Sequence, residues 1–282
     1  MAAWRRCVGG GLLVVAVAGG CDARDVPPSR GASREGEPSA RPVVPPPAVA
    51  PRGTTQGELA GVRYLEHMTG GARPEERVPM IVALHPMDAD PADLLPMLRG
   101  YRRRARLILP YGHPRGDQYF WYDSVRGDDV AATRVTREAD RVATALAALV
   151  SARPTVGKPL VTGFSQGGMM TFALAITHPE ALAAAFPISG LLPLSLYPSA
   201  ALSSEPRPPE LPPVVAFHGA SDLAVPTRGA RDSIAELQSV GYSAELHEYP
   251  GVEHDISGEE LAEILMRIGQ AADSLVVAAP AR

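Results

Sequence analysis

Residues 159–170 read Pro-Leu-Val-Thr-Gly-Phe-Ser-Gln-Gly-Gly-Met-Met, so that Gly163-Phe-Ser165-Gln-Gly167 lies between an apolar strand pattern and an apolar helix pattern. A serine on so sharp a strand-to-helix turn takes up a strained backbone, and a Cβ atom at either glycine would clash with neighbouring backbone. The hydroxyl group then stands clear of the sheet, beside the positive end of the helix dipole. This stretch predicts that Ser165 is a nucleophile.

On both sides of this turn, apolar β-type runs alternate with helical patterns from Leu59 onward. That order is typical of a mainly parallel sheet with helices on both faces, so we predict an α/β fold. The predicted strands are Val62–Met68, Val78–Leu84, Ala105–Pro110, Pro159–Gly163, Ala184–Ile188, Pro213–His218 and Ala244–Tyr249. The predicted helices are Ala92–Arg103, Asp128–Ala152, Gly167–Thr177, Arg228–Gly241 and Gly258–Val277.

A serine hydroxyl needs a base to accept its proton and a carboxylate to orient that base. Asp222 follows the predicted strand that ends at His218, and His254 follows the predicted strand that ends at Tyr249. The carboxyl ends of parallel strands meet at one edge of the sheet, so we expect these two side chains to lie near Ser165. The chain order of serine, aspartate and histidine is the one that this fold requires.

Both Asp222 and His254 also have a non-catalytic interpretation. Asp222 could be a turn aspartate that caps the following helix, and His254 could be a surface histidine. Three other candidates are weaker: His178 lies at a helix end, His218 at a strand end where it would shape a loop, and Asp255 is too close in sequence to His254 to pair with it side-on.

Three blocks, GFSQGG at 163–168, HGASDLAVP at 218–226 and YPGVEH at 249–254, resemble the phospholipase/carboxylesterase family, which includes the acyl-protein thioesterases. The resemblance covers most of residues 59–273. It implies the α/β-hydrolase fold, and it implies that Ser165, Asp222 and His254 are nucleophile, acid and base.

The same resemblance implies an oxyanion hole formed by two backbone N–H groups, at Gln166 and Met87. Here the sequence departs from its relatives, because their usual His-Gly is His85-Pro86 in this chain. Proline fixes φ and lacks an N–H group, although residue 87 keeps its own.

Four side chains are candidate walls of a substrate pocket for an acyl or aryl group, and each could equally belong to the core: Trp121, Tyr122, Leu191 and Leu192. Between Ser165 and Asp222 there is no insertion long enough for a large lid, only the proline-rich stretch 191–212. No metal-ligand cluster or phosphate-binding motif is evident in the sequence, so we expect no metal and no cofactor.

The expected reaction is the cleavage of small-molecule carboxylic esters, with short-chain, acyl or aryl groups, through an acyl-enzyme. A polyhydroxybutyrate-depolymerase-like or feruloyl-esterase-like enzyme is the close alternative. A catalytically inactive binding protein of the cell envelope is the alternative from another class, and the intact serine, aspartate and histidine argue against it.

The first residues are basic and are followed by a short apolar run that ends in Ala18-Gly19-Gly20-Cys21. This pattern resembles a bacterial lipoprotein signal, so we predict a signal peptide at 1–20 and lipidation of Cys21. An ordinary signal peptide or an uncleaved anchor are the alternatives. A proline-rich, disordered tether is predicted at 21–57 and the catalytic domain at 58–282.

The predicted lipid anchor implies an exported protein held on a cell-envelope membrane, on its periplasmic or outer face. The two cysteines, Cys7 and Cys21, both precede the catalytic domain, which therefore forms no internal disulfide. The net charge of −4 has both signs interspersed and gives no basic stripe, so nucleic acid is not an expected partner. The sequence does not indicate an oligomeric state.

Overall fold

The computed structural model describes residues 51–123, 128–198 and 210–279, with the side chains of 128–131 left undescribed. The predicted signal peptide, Cys21 and most of the predicted tether lie outside the described residues. Within them, no helix is both long and apolar enough to cross a membrane.

An eight-stranded sheet runs through the domain in the order β1-β2-β4-β3-β7-β8-β9-β10. Its strands are β1 (Thr54–Leu59), β2 (Val62–Thr69), β3 (Met80–Leu84), β4 (Ala105–Pro110), β7 (Leu160–Phe164), β8 (Ala184–Ile188), β9 (Val214–Gly219) and β10 (Ala244–Tyr249). The six strands from β4 to β10 pair in parallel, whereas β1 and β2 are antiparallel to their neighbours. The mainly parallel sheet of the sequence prediction is confirmed.

The central strands are apolar on both faces, because helices cover both sides of the sheet. Every residue of β3, β4, β7 and β8 is buried. This is the composition expected of parallel strands enclosed between two layers.

In the described part of the chain, five helices lie on the two faces: α1 (Leu95–Leu98), α2 (Asp128–Ala152), α3 (Gln166–Thr177), α4 (Thr227–Ser239) and α5 (Gly258–Ala278). One apolar cluster joins α2, α3 and α4 to alternate strand residues such as Val82, and the other joins α1 and α5 to the residues between, such as Ile81. Successive side chains of a strand point to opposite faces, so the two clusters are the two cores of a three-layer fold.

The structure corrects the sequence prediction at three places. Strand β1 begins at Thr54, inside the range predicted as tether, so the boundary at 57/58 is placed too late. The helix predicted at Ala92–Arg103 is a 3₁₀ turn at Pro91–Leu94 followed by the single turn of α1, which ends before Gly100. The prediction also omits a small hairpin of β5 (His113–Arg115) and β6 (Gln118–Phe120).

The proline-rich stretch 191–212, predicted to be a loop too short for a large lid, is described only in part. Residues 191–198 contain one 3₁₀ turn at Leu194–Leu196, and residues 199–209 lie outside the described range. The loops that follow β3, β7, β9 and β10 all leave the same edge of the sheet, because these strands are parallel. Met87, Ser165, Asp222 and His254 lie on these four loops.

Candidate active site

Ser165 forms the turn between β7 and α3 and has a strained backbone. Its φ of 55° and ψ of −116° lie in a region that residues with a side chain rarely occupy. Two features stabilise this conformation: the Ser165 N–H group donates to the carbonyl of Ile188 at 2.9 Å, and α3 begins at the next residue. The predicted geometry of this turn is confirmed.

The two glycines of the turn have no room for a side chain. A Cβ atom at Gly163 would lie 2.4 Å from the carbonyl oxygen of Gly167, and one at Gly167 would lie 2.1 Å from that of Leu84. The end of β3 therefore packs directly against the first turn of α3, which brings the loop after β3 close to Ser165.

His254 lies within hydrogen-bond distance of both Ser165 and Asp222. The Ser165 hydroxyl donates to Nε2 of His254 at 2.9 Å, and Nδ1 of His254 donates to Oδ2 of Asp222 at 2.7 Å. The imidazole is tilted over the Phe164 ring, with the centroids 5.0 Å apart, and its side chain is 18% exposed. The structure thus brings together the three residues that the sequence singles out.

Asp222 uses its two carboxylate oxygens for different purposes. Oδ1 accepts the N–H groups of Ala224 at 2.9 Å and Val225 at 2.8 Å, as the turn-aspartate interpretation expects, whereas Oδ2 faces His254. Burial of this side chain pushes its pKa upward, but the hydrogen bonds from His218, His254 and the Val225 N–H group outweigh burial. They hold the pKa of Asp222 well below its ordinary value, so the carboxylate stays ionised.

His218 lies behind the carboxylate and is fully buried. Its Nε2 donates to the carbonyl oxygen of Val225 at 2.8 Å, which is the loop-shaping role that the sequence suggests, and the same atom is 3.3 Å from Oδ2 of Asp222. The second contact was not predicted. Its signal in the sequence is the spacing of four residues between His218 and Asp222.

Gln166, the first residue of α3, is buried. Its side-chain oxygen accepts the N–H group of Trp121 and its amide nitrogen donates to the carbonyl of Tyr122, each at 2.8 Å. Met87 lies half-buried on the loop after β3. The family resemblance implies a role for the backbone of Gln166 only, whereas in the structure its side chain also fixes the segment at 121–122.

The hairpin of β5 and β6 supports the loop that carries Met87. Ala89 and Tyr119 exchange two backbone hydrogen bonds, of 3.3 and 3.1 Å, and Arg115 donates to Asp88 at 2.9 Å and to Asp123 at 2.8 Å. Strands of only three residues each are too short to give a recognisable pattern, so this hairpin was not predicted. The sequence feature that could have predicted the hairpin is Gly116, which forms the turn between its strands with a φ of +62°.

Two of the four predicted pocket walls are core residues. Trp121 is 0% exposed and Leu192 is 2% exposed, so no substrate reaches either side chain in this structure. Trp121 is buried because its ring and its indole N–H group bind the loop after β3. Tyr122 and Leu191 are partly exposed, and the Tyr122 hydroxyl donates to Sδ of Met169 at 3.0 Å.

The other two weaker candidates, His178 and Asp255, have partners outside the serine–histidine–aspartate group. His178 ends α3 and contacts Asp140 at 2.8 Å, and Asp255 is exposed and accepts the N–H group of Ile256. Among the residues that the structure describes, no group of three or more histidine, cysteine or acidic side chains could hold a metal ion.

Comparison with known proteins gives partial sequence similarity to plant carboxylesterases. The chain is 37% identical over 101 residues to a probable carboxylesterase of Oryza sativa subsp. japonica, Os04g0669500, covering 36% of the chain and 37% of that protein. It is 31% identical over 104 residues to carboxylesterase SOBER1 of Arabidopsis thaliana, covering 37% of the chain and 44% of that protein. In both comparisons the similarity spans less than half of the relative.

The crystal structure of esterase PE8 superimposes with a TM-score of 0.61 and 24% identity, over 72% of this chain and 99% of that one. At this identity the similarity establishes the α/β-hydrolase fold. The profile of the phospholipase/carboxylesterase family matches residues 107–270, which is more than half of the sequence and includes all of Ser165, Asp222 and His254. The chain therefore belongs to the phospholipase/carboxylesterase family.

Proposed function

We propose that the protein is a serine hydrolase that cleaves carboxylic esters through an acyl-enzyme, with Ser165 as nucleophile, His254 as base and Asp222 as the orienting acid. The observation that carries the proposal is the pair of contacts at His254, 2.9 Å to the Ser165 hydroxyl and 2.7 Å to Asp222, at a serine with a strained backbone. A surface histidine and a turn aspartate would not need this alignment.

In the first half-reaction, Ser165 Oγ attacks the ester carbonyl while Nε2 of His254 takes its proton. Because Nδ1 of His254 donates to Asp222, the lone pair of Nε2 points toward the hydroxyl. The proton then passes from His254 to the leaving alcohol, and an acyl group stays on Ser165. In the second half-reaction, His254 activates a water molecule that hydrolyses this acyl group.

The ionised Asp222 stabilises the imidazolium that forms on His254 in both steps. The negative charge that develops on the carbonyl oxygen needs donors, and the backbone N–H groups of Gln166 and Met87 are the candidates. Each such donor contributes on the order of a hundredfold in rate.

The substrate that we propose is a small ester with an apolar acyl or aryl group. The partly exposed side chains of Tyr122 and Leu191 support this choice. Turnover of p-nitrophenyl acetate, p-nitrophenyl octanoate, an acyl thioester and methyl ferulate would rank the possible classes. Preference for methyl ferulate would favour the feruloyl-esterase-like alternative, and the thioester would test the activity that the family resemblance suggests.

A fluorophosphonate probe tests the triad directly, because it labels only a serine that a base has activated. We expect the wild type to be labelled and Ser165→Ala to be unlabelled. Ser221→Ala, on the exposed loop beside Asp222, is the matched control and should be labelled as the wild type is. Absence of labelling in the folded wild type, or labelling that persists in Ser165→Ala, would favour the inactive binding protein instead.

The proposed location is the cell envelope, with Cys21 acylated and the residues between Cys21 and β1 as a tether. The sequence Ala18-Gly19-Gly20-Cys21 supports it. We expect the full chain to partition into the membrane fraction of a bacterial host and Cys21→Ser to remain unacylated. Soluble release of the protein with Cys21 intact would contradict the anchor without bearing on the esterase activity.

A further inference from the structure

A second histidine, His85, lies directly after β3 and takes no part in the triad. Its side chain is fully buried. Both ring nitrogens have backbone partners: the Gly112 N–H group donates to Nε2 at 3.1 Å, and Nδ1 is 2.7 Å from the carbonyl oxygen of Pro86. A ring enclosed in this way cannot exchange a proton with a substrate. The function of His85 is therefore to hold the backbone groups that it contacts.

The two partners determine the tautomer of His85. Because Nε2 accepts a hydrogen bond from Gly112, the proton of the neutral ring lies on Nδ1, which donates to the Pro86 carbonyl. Burial lowers the pKa of His85 to about 4, against a smaller opposing effect of the Pro86 hydrogen bond. The ring is therefore neutral, with one donor and one acceptor, throughout the neutral pH range.

The hydrogen bond to Pro86 fixes the direction of the next N–H group. The peptide bond between Pro86 and Met87 is trans, so its N–H group points opposite to the Pro86 carbonyl and away from the buried ring. If this peptide flipped, the Nδ1–H group of His85 would lose its acceptor inside the protein, which is unfavourable. His85 thus selects one of the two orientations of the Met87 N–H group.

Trp121 holds His85 in place, and Gln166 in turn holds Trp121. The Trp121 indole stacks on the imidazole, with centroids 4.7 Å apart and planes at 23°, and its Nε1 donates to the His85 carbonyl at 2.8 Å. Trp121 is in turn held by the side chain of Gln166, through its N–H group. A continuous set of contacts therefore joins the residue that carries one N–H donor, Gln166, to the peptide that carries the other, at Met87.

We infer that His85 is the positioning residue of the oxyanion hole, and that Trp121 and the Gln166 side chain fix its place relative to Ser165. The inference rests on the proposed function. It also gives a physical role to Pro86, because a ring-locked φ at that residue and a hydrogen bond to its carbonyl restrain the same peptide.

The test compares His85→Asn with His85→Leu. Both remove the ring and its stacking on Trp121, but the amide nitrogen of asparagine can replace Nδ1 as donor to the Pro86 carbonyl. We expect His85→Leu to lower kcat for p-nitrophenyl acetate by on the order of a hundredfold, with KM little changed, because only transition-state stabilisation is lost. His85→Asn should recover most of this loss.

A trifluoromethyl ketone provides a second readout. Ser165 Oγ adds to its carbonyl carbon, the carbonyl electron pair becomes an alkoxide, and the serine proton passes to His254. Its affinity should fall in His85→Leu by the same factor as kcat, whereas a merely structural defect would raise KM and lower thermal stability instead. Equal kcat values for the two folded variants would overturn the inference.

If neither variant folds, the tautomer can be measured in the wild type. ¹⁵N-histidine NMR should show His85 protonated at Nδ1 and unprotonated at Nε2, and the opposite tautomer would overturn the inference. Failure of the proposed function is recognised separately, because a wild type that neither turns over esters nor reacts with the fluorophosphonate would fail before any variant is made.

Discussion

The site has two sides that are built in different ways. On the proposed acid–base side, the end of β9 and the loops after β9 and β10 bring His218, Asp222 and His254 together through contacts between titratable side chains. On the proposed oxyanion side, His85, Trp121 and Gln166 bond to backbone groups and stay neutral. Proton transfer needs groups whose charge changes, whereas a developing oxyanion needs dipoles whose direction does not change.

Histidine occurs on both sides, and burial separates its roles. The His254 side chain is 18% exposed, and Nε2 faces the Ser165 hydroxyl. His85 is fully buried, and both of its ring nitrogens have backbone partners. Its lowered pKa keeps it neutral. A histidine that is enclosed by backbone partners holds a conformation, and one with an open nitrogen beside a hydroxyl can move a proton.

The largest effect is expected on the acid–base side, from Asp222→Asn. The asparagine amide keeps an oxygen that can accept the N–H groups of Ala224 and Val225. Its other group is an NH₂ donor where Oδ2 accepts from His254, so the tautomer with the proton on Nδ1 is disfavoured. We expect kcat for p-nitrophenyl acetate to fall by about 10⁴-fold, with the fold retained. Asp255→Asn is the matched control, because Asp255 is exposed and adjacent to His254, and it should leave kcat unchanged. Similar losses in both variants would contradict the assignment.

The next effect is expected on the oxyanion side, from Gly167→Ala. The added Cβ atom would lie 2.1 Å from the Leu84 carbonyl oxygen and 2.8 Å from that of His85. We expect the free energy of unfolding in urea to fall by about 3 kcal/mol or more. Gly258→Ala is the control, since nothing lies within 4 Å of a Cβ atom at the start of α5. It should change the same quantity by less than about 0.5 kcal/mol.

A smaller effect is expected from Gln166→Met, which keeps the backbone N–H group but removes the side chain that holds Trp121 and Tyr122. The buried N–H group of Trp121 loses its partner, at about 1–3 kcal/mol, and the half-buried carbonyl of Tyr122 loses its hydrogen bond at a smaller cost. We expect lower thermal stability and a loss in kcat on the order of tenfold, as the oxyanion side loosens. Gln238→Met, which removes an exposed bond to the Ala244 carbonyl, should affect neither measurement. Unchanged kcat in a destabilised Gln166→Met would limit this side chain to a structural role.

The smallest effect on kcat is expected at Glu260, a fully buried carboxyl group in the first turn of α5, where the quantity that changes is stability. Its charge interacts with His218 and Asp222. Burial raises the pKa of Glu260 from 4.5 to about 7. The folded state therefore keeps a proton that the unfolded state releases, and stability falls as the pH rises between these two values, by at most about 1.4 kcal/mol per pH unit.

Glu260→Gln removes this dependence, so the variant should gain stability relative to the wild type between pH 5 and pH 8. Thermal unfolding at the two pH values measures the difference. Glu259→Gln, the exposed neighbour in the same turn, should follow the wild-type pH dependence. A constant difference between wild type and Glu260→Gln across this range would contradict a buried, protonated Glu260.

Local sequence patterns predicted most of the fold because they depend on neighbours in the chain. Strands β4, β8 and β10 and helix α2 begin and end at the predicted residues. The prediction failed at the hairpin because each of its strands has only three residues. It also failed at Ala92–Arg103, where the apolar spacing continues past the end of α1 at Leu98.

The sequence alone determined the strand-to-helix turn at Ser165, the chain order of Ser165, Asp222 and His254, and the family, because glycine spacing and chain order are properties of the linear chain. Only the tertiary structure decided that Trp121 supports a loop instead of lining a pocket, that Asp222 serves the turn and His254 together, and that His85 is a neutral donor. The physical reason is that burial and hydrogen bonding arise between residues far apart in sequence. His254 meets Ser165 from 89 positions away, and Trp121 meets His85 from 36.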